Sequence, residues 1–259
     1  MIRRRVAYWG VGAVALVLLG VAGVGLFPRF RVPPRDFPDI QSSGELRVAT
    51  EYNGVGYYVS GDTVAGFQYE LCRYVEQRSG LKVRISLENN WESCLKKLKD
   101  NTYDVLAMNV PVTRESRELL ALTVPVTLGR QVLVQRKSGP DDSLPLIRNQ
   151  MDLAHKTIWV PEGSPGILRL RHLSEEIAEP VYIREVGDYT QEDILYLIAY
   201  DEADYAVVDR EVAQKGAKLF PQLDVETDIS FTQLQAWAVR QDAPVLLDSL
   251  NGWIAERFR

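Results

Sequence analysis

The chain has 259 residues, 46% of them hydrophobic and 25% charged, a balance that fits one large or two small globular domains and excludes a disordered chain. The formal net charge is −5, and the basic residues Arg3, Arg4, Arg5, Arg29, Arg31 and Arg35 crowd the first 36 positions against the single acid Asp36, so the rest is more acidic than the whole. An acidic body lacks the basic footprint that nucleic acid requires, and no nucleic-acid partner is expected.

Val6–Phe27 is uncharged and almost wholly apolar. As a helix it spans roughly 33 Å, enough for a bilayer core. Arg3–Arg5 precede it, so the positive-inside rule leaves residues 1–27 as a cytoplasmic stub and transmembrane anchor. The body is then expected outside a cytoplasmic (inner) membrane, in the periplasm. A cleaved signal peptide is the alternative, but Val24-Gly-Leu-Phe27 is a poor small-residue cleavage site. Residues 28–42, with four prolines between Pro28 and Ser43, read as an extended tether.

Leu46–Thr50 predicts the first strand, and Glu51–Asp62 a loop rich in glycine and tyrosine. Gly66 opens a helix with Phe67, Leu71, Tyr74 and Val75 on one face, and Gly80 closes it. Val83–Leu87 alternates as a strand, and Asn90 caps a helix bearing Trp91, Leu95 and Leu98. Tyr103–Met108 is a short apolar run, hence a buried strand; Thr113 past its end can cap a helix carrying Arg114 and Arg117. A helix start with guanidiniums beside it suits an anion.

Gln131–Gln135 is read as the strand that leaves this unit, and Gly139-Pro140 within Lys137–Asp142 as a crossover near a hinge. A second α/β unit follows. Thr157–Val160 is a strand, and the loop around Ser164 leads into a helix with Ile167, Leu170, Leu173 and Ile177 on one face; its backbone N–H groups can meet an anion. Val181–Val186 is a strand. Thr190 begins a near capping box ahead of Ile194, Leu195 and Ile198. Tyr205–Val208 is a buried strand, and Asp209 past it can cap the helix at Arg210–Lys215. Leu223–Thr227 is read as the return to the first unit, Gln235–Arg240 as a strand there, and Pro244 as the start of the last helix. Two cysteines, Cys72 and Cys94, and two histidines, His155 and His172, fall at no metal-ligand spacing. Neither a metal nor a cofactor is expected.

The run Ser43-Gly-Glu-Leu-Arg-Val-Ala-Thr50, then Gly66-Phe-Gln-Tyr-Glu-Leu71, then Asp104-Val-Leu-Ala-Met108 with Thr113…Arg117 and Pro125, resembles the amino-acid-binding family (family 3) of type 2 periplasmic solute-binding proteins. Within it the order is similar to the N-terminal, non-catalytic domain of the membrane-bound lytic transglycosylase F family. The resemblance implies an α/β, two-lobe periplasmic-binding-protein type 2 fold with a discontinuous first lobe, residues 43–137 and 224–259, around a second lobe, residues 138–223. It implies sheet order 2-1-3, which puts the helices of Cys72 and Cys94 on opposite sheet faces, too far apart for a disulfide.

The resemblance also implies a ligand-binding set. Tyr57 best matches the family's aromatic, Thr113 and Ser164 line the cleft, and Asp209 meets an ammonium group. The family's carboxylate-binding arginine falls on Ser116 when counted from Asp104 and on Arg117 when counted back from Pro125. A one-residue insertion near Pro111–Arg114 would explain both counts and leaves Arg114 and Arg117 as rivals. The function so implied is membrane-tethered binding of a small zwitterion, an amino acid or muropeptide-like molecule, by hinge closure, with a transporter or cell-wall enzyme as partner. The relatives' lysozyme-like catalytic domain is not expected in a chain ending at Arg259, so no enzyme is expected. Two other readings stay open. One is a scaffold or partner-binding module whose cleft has lost its ligand. The other is a dehydratase, which needs a cleft carboxylate of raised pKa; Glu51 and Glu162 are the candidates, and both are expected to face water.

Overall fold

The structure, a computed structural model, describes residues 35–137, 145–164, 166–187 and 189–259. The expected membrane span, residues 28–34 of the tether and most of the Lys137–Asp142 crossover lie outside the described residues. Among the described residues, no helix is long and apolar enough to cross a membrane.

The tether is shorter than expected, because its last part folds. The Asp36 side chain accepts from the Phe37 amide at 2.7 Å and starts helix α1 (Phe37–Ser43), which ends at Gly44 in the left-handed region. Ile40 is fully buried, so one apolar residue per turn fastens a segment whose prolines suggest an extended strap. The same carboxylate accepts from Val245 and Leu246 at 3.2 and 2.8 Å. It thereby caps the final helix too, and joins the start of the body to its end.

The first sheet holds β1 (Glu45–Thr50), β4 (Lys82–Leu87) and β5 (Val105–Pro111) in the order β4-β1-β5, all parallel. Strand β13 (Gln233–Val239) runs antiparallel beside β5, and the short β6 (Ala121–Leu122) and β7 (Thr127–Gly129) pair with β13. A hairpin of β2 (Tyr58–Ser60) and β3 (Thr63–Ala65) stands apart. Helix α2 (Phe67–Ser79) links β1 to β4, and α3 (Trp91–Lys99) links β4 to β5. Gly66 has φ 125°, and a Cβ there would lie 2.3 Å from the Gly56 carbonyl oxygen, so only glycine admits this approach. The order β4-β1-β5 makes the two crossovers run opposite ways, and right-handedness sends their helices to opposite faces. Cys72 accordingly packs with Leu46, Val48 and Val105, whereas Cys94 packs with Ala49, Leu106 and Met108. Both thiols are free and buried.

After α4 (Arg114–Leu119) and β7, the chain passes to the second sheet, ordered β10-β9-β11-β8-β12. Strands β9 (Thr157–Pro161), β10 (Tyr182–Val186) and β11 (Tyr205–Asp209) are parallel; β8 (Gln131–Arg136) and β12 (Leu223–Asp228) complete it. Helices α5 (Gly166–Ile177), α6 (Gln191–Ala199) and α7 (Arg210–Leu219) cover it, followed by α8 (Pro244–Arg257) of the first half. We call the half around the first sheet lobe 1 and the half around the second lobe 2.

Two assignments from the sequence are corrected. Strand β8 belongs to lobe 2, where it runs antiparallel to both β11 and β12, so the outward crossing lies at Gly129–Gln131 and not past Lys137. Strand β12 also belongs to lobe 2, and the return runs through Ile229–Thr232. Both strands are largely buried, and an apolar run does not declare which sheet it will join. The two crossings are bonded to each other: the Gln131 amide donates to Ser230 Oγ at 2.8 Å, and the Ile229 amide to the Gln131 carbonyl at 2.9 Å.

Asp104, fully buried just ahead of β5, fixes how lobe 1 begins. Its carboxylate accepts from the Arg47 amide at 2.9 Å, from Arg47 Nε and Nη2 at 3.1 and 2.8 Å, and from Arg35 Nε at 3.1 Å. The hydrogen bond to Asp104 outweighs the cost of burial and raises the Arg47 pKa. Removing the carboxylate strands two guanidiniums and a strand amide. Asp104→Ala is therefore expected to lower unfolding free energy by about 2–3 kcal/mol, since the arginines keep some solvent; urea denaturation checks this, and a change below about 0.5 kcal/mol contradicts it.

Candidate functional site

Parallel strands of both sheets end at one place between the lobes. Glu51 follows the last residue of β1, Asn89 lies just past β4, Asn109 sits near the end of β5, Glu162 follows β9, and Asp209 ends β11; all line one interlobe cavity of about 60 Å³. This is the crevice at which open α/β sheets take ligands. Thr190 caps α6 with a full capping box, which aims the next two residues, Gln191 and Glu192, at the same cavity. Tyr52, Trp91 and Tyr189 supply aromatic surface, and Ser230 and Gln235 line it from the return crossing and β13.

The electrostatics of this chamber are one-sided. Burial, and then the charge of Asp209, push Glu51 up to about 7. Burial pushes Asp209 up to about 6. Burial also raises Glu192. Each carboxylate has one neutral donor: Asn53 Nδ2 to Glu51 at 3.3 Å, Gln191 Nε2 to Asp209 at 3.2 Å, and the Gly54 amide to Glu192 at 2.7 Å. None of the three is ion-paired among the described residues. The one cation lining the chamber there, Arg130, donates Nη1 to Asp228 at 2.7 Å. Arg210 binds the other oxygen of Asp228. Burial raises the Asp228 pKa, but the two guanidiniums outweigh it and hold the carboxyl below its ordinary range.

The lobes meet across this chamber. Gly54 of lobe 1 donates its amide to Glu192 of lobe 2 and accepts from Lys215 of α7, whose ammonium lies 4.1 Å from the Tyr58 ring centroid. A buried relay steadies the lobe 1 wall: Trp237 Nε1 donates to Gln68 Oε1 at 2.6 Å, and Gln68 Nε2 to Asn109 Oδ1 at 2.8 Å.

Of the residues named from the sequence, Ser164 and Asp209 line the chamber. Asp209 holds the N-cap position of α7 without capping it, so its carboxylate is not spent on the helix. Ser164 Oγ accepts from the Gly166 amide at 3.2 Å and serves the start of α5. Thr113 caps α4 and lines an outer part of the cleft, a cavity of about 370 Å³ that shares Trp91, Pro111, Gln131, Ser164 and Gln233 with the chamber. The other three lie elsewhere. Arg114 is exposed and bonds Glu118 one turn on at 3.0 Å. Arg117 is exposed. Tyr57 packs edge-on against Tyr69 at 5.7 Å.

The helix geometry explains the arginines. With Thr113 as N-cap, its Oγ1 accepts from the amide of Ser116, the third helical residue, at 3.2 Å. Ser116 is the half-buried residue that faces the outer cleft, and its neighbours Arg114 and Arg117 turn outward. The residue that the count forward from Asp104 reaches, Ser116, is thus on the cleft side of α4. The expectation that Glu51 faces water is also corrected, and its signal was available: it is the first residue past a parallel strand. Glu162 is exposed as expected. Trp91, Glu192 and Gln235 have no motif and were found only by their convergence.

Residues 46–258 match the family model described as bacterial extracellular solute-binding proteins, family 3. The membrane-bound lytic murein transglycosylase F of Desulfosudis oleivorans is 26% identical over 246 residues, which cover 94% of this chain and 53% of that protein. Its namesake in Aeromonas hydrophila is 27% identical over 230 residues, covering 88% and 45%. The chain thus spans about half the length of these curated relatives. Among solved structures, an ancestral arginine-binding protein bound to arginine superposes with TM-score 0.72 at 21% identity, covering 83% of this chain and 92% of that one. The holo arginine-binding protein of T. maritima gives 0.73 at 22%, covering 86% and 94%. These likenesses are of fold, and the family match covers nearly all of the described body: the chain belongs to the bacterial extracellular solute-binding proteins, family 3.

Proposed function

We propose that this protein is a membrane-tethered, extracytoplasmic binding protein that closes its lobes around a small amine-bearing solute, an amino acid or muropeptide-like molecule. The observation that carries this is the facing of Glu51 and Asp209, one from each lobe, across a chamber in which neither carboxylate has a cation partner among the described residues. A ligand ammonium group between them would be held by both lobes at once. It would favour the closed arrangement by its differential affinity for it. The relatives named as lytic transglycosylases support a cell-wall setting, and the apolar Val6–Phe27 segment supports the tether. A transporter or a cell-wall enzyme is the partner this reading implies.

Glu51 is also the raised carboxylate that the dehydratase alternative requires. We read it as a ligand contact, because the charge of Asp209 helps to raise it and a bound cation would relieve both groups. The scaffold alternative draws on the outward arginines, which leave the cleft without the carboxylate clamp the resemblance implies.

Calorimetry on the full chain in detergent, with alanine, lysine and their amides as probes, tests this reading. Asp209→Asn is expected to weaken binding by about ten- to a hundredfold. Arg117→Ala is expected to leave it unchanged. Loss of binding in Arg117→Ala with normal binding in Asp209→Asn would contradict the assignment.

Stability should carry the same signature. A carboxyl whose folded pKa is raised contributes stability below its unfolded pKa and loses it as pH rises through the folded value. For Glu51 that window runs from about 4.5 to about 7. Glu51→Gln is therefore expected to stabilise the unliganded protein at pH 8, by about 1–3 kcal/mol, and to change little at pH 4. Thermal denaturation at the two pH values reads this; equal effects at both would contradict it.

A further inference from the structure

The chamber recognises an amine, and its walls say what stands next to that amine. Three carboxylates reach it from separate elements: Glu51 from the end of β1, Asp209 from the end of β11 and Glu192 from α6. A fourth, Glu162, lies at its rim. A further acceptor stands apart from this acidic group. Gln235 is only 5% exposed, lines the chamber, and its side-chain carbonyl oxygen has no hydrogen-bond partner. Its amide lies so close over Gly129 that a Cβ there would come within 2.2 Å of it, so the side chain occupies space that only glycine leaves open. An orphaned buried acceptor carries the cost of its lost hydration until a donor arrives.

The opposite requirement, a site for a carboxylate beside the amine, is not met. Arg130 is the one cation on the chamber wall among the described residues, and it is engaged by Asp228. Arg114 and Arg117 face outward, and Ser116 takes the inward position on α4. A carboxylate on the carbon next to the ammonium would enter a space already walled by Glu51, Asp209 and Glu192. Trp91, Tyr52 and Tyr189 offer ring faces that suit an organic cation.

We propose that the chamber selects an ammonium group with no free carboxylate on the neighbouring carbon, as in a side-chain amine or the amino end of an amide-linked molecule, and discriminates against the free α-amino acid zwitterion. This rests on the solute-binding reading above and narrows its ligand class. It separates the chain from a clamp for amino acid backbones while keeping peptide-like ligands in range.

The test is isothermal calorimetry on the full chain in detergent at pH 7.5, with alanine against alaninamide and lysine against lysinamide. Alaninamide, whose α-amino group titrates at about 7.7–8.0 and so is still mostly protonated at this pH, is expected to bind at least tenfold more tightly than alanine. Lysine, whose side-chain ammonium has no carboxylate on the neighbouring carbon, is expected to bind comparably to lysinamide. The groups facing the bound amine are Glu51, Asp209, Glu192, Glu162, Arg130, Tyr52 and Tyr189, of which Glu51 and Asp209 change charge near neutrality. Lysinamide binding is therefore expected to tighten from pH 6 to 7.5, and Glu51→Gln to flatten that rise. Alanine binding as tightly as alaninamide would overturn this inference and leave solute binding standing. Silence from all four probes at millimolar concentration would overturn both. A pH profile unmoved by Glu51→Gln would overturn the assignment of the amine to this chamber.

Discussion

What stands in the cleft is decided by where parallel strands end. In each lobe the crossovers are right-handed and return every parallel strand in the same direction, so their carboxyl ends gather at the interlobe face. Glu51, Asn89, Glu162 and Asp209 need no motif to meet there; they need only be the residues at or just past β1, β4, β9 and β11. Three of the four are acids, and that local fact is what the proposed ammonium site rests on. Burial is the main cause that pushes Glu51 up to about 7 and Asp209 up to about 6, with the charge of Asp209 adding to the rise of Glu51.

The supporting structure keeps that arrangement rigid within each lobe and adjustable between them. In lobe 1, Asp104 ties β1 to the start of β5 and to Arg35, and the Trp237–Gln68–Asn109 relay sets the chamber wall from a fully buried indole. Between the lobes, Glu192 accepts from the Gly54 amide, Lys215 donates to the Gly54 carbonyl, and Val55 packs against the apolar core of lobe 2. The Arg130–Asp228–Arg210 group sits on the crossings and holds them against α7 without filling the chamber with positive charge.

Much of this was legible in the sequence because it depends on local pattern. The strand and helix series and the Thr190 and Thr113 caps follow from period and capping, whereas the separation of Cys72 from Cys94 and the place of Asp209 in the cleft also needed the sheet order and matching position that the family resemblance implies. The residues that misled did so for particular reasons. Strands β8 and β12 are buried runs, and nothing in a buried run names its sheet. Phe37–Ser43 contains one proline at a helix start, where proline is tolerated, and it was grouped with the prolines before it. Arg114 and Arg117 flank Ser116, and a family pattern that expects an arginine draws the eye to either one. In the structure Ser116 is half-buried beside the outer cleft, whereas Arg114 and Arg117 are exposed. Glu192 and Gln235 come from elements far apart in the chain, and only the packed fold brings them together.

The central claim is that an ammonium group is held between the two lobes by Glu51 and Asp209. A crystal structure of the protein grown with lysinamide tests it most directly. The account predicts a ligand nitrogen within hydrogen-bond distance of both carboxylates, with the amide group directed away from Arg130. A ligand with its nitrogen elsewhere and its amide against Arg130, or one bound outside the interlobe chamber, would contradict it.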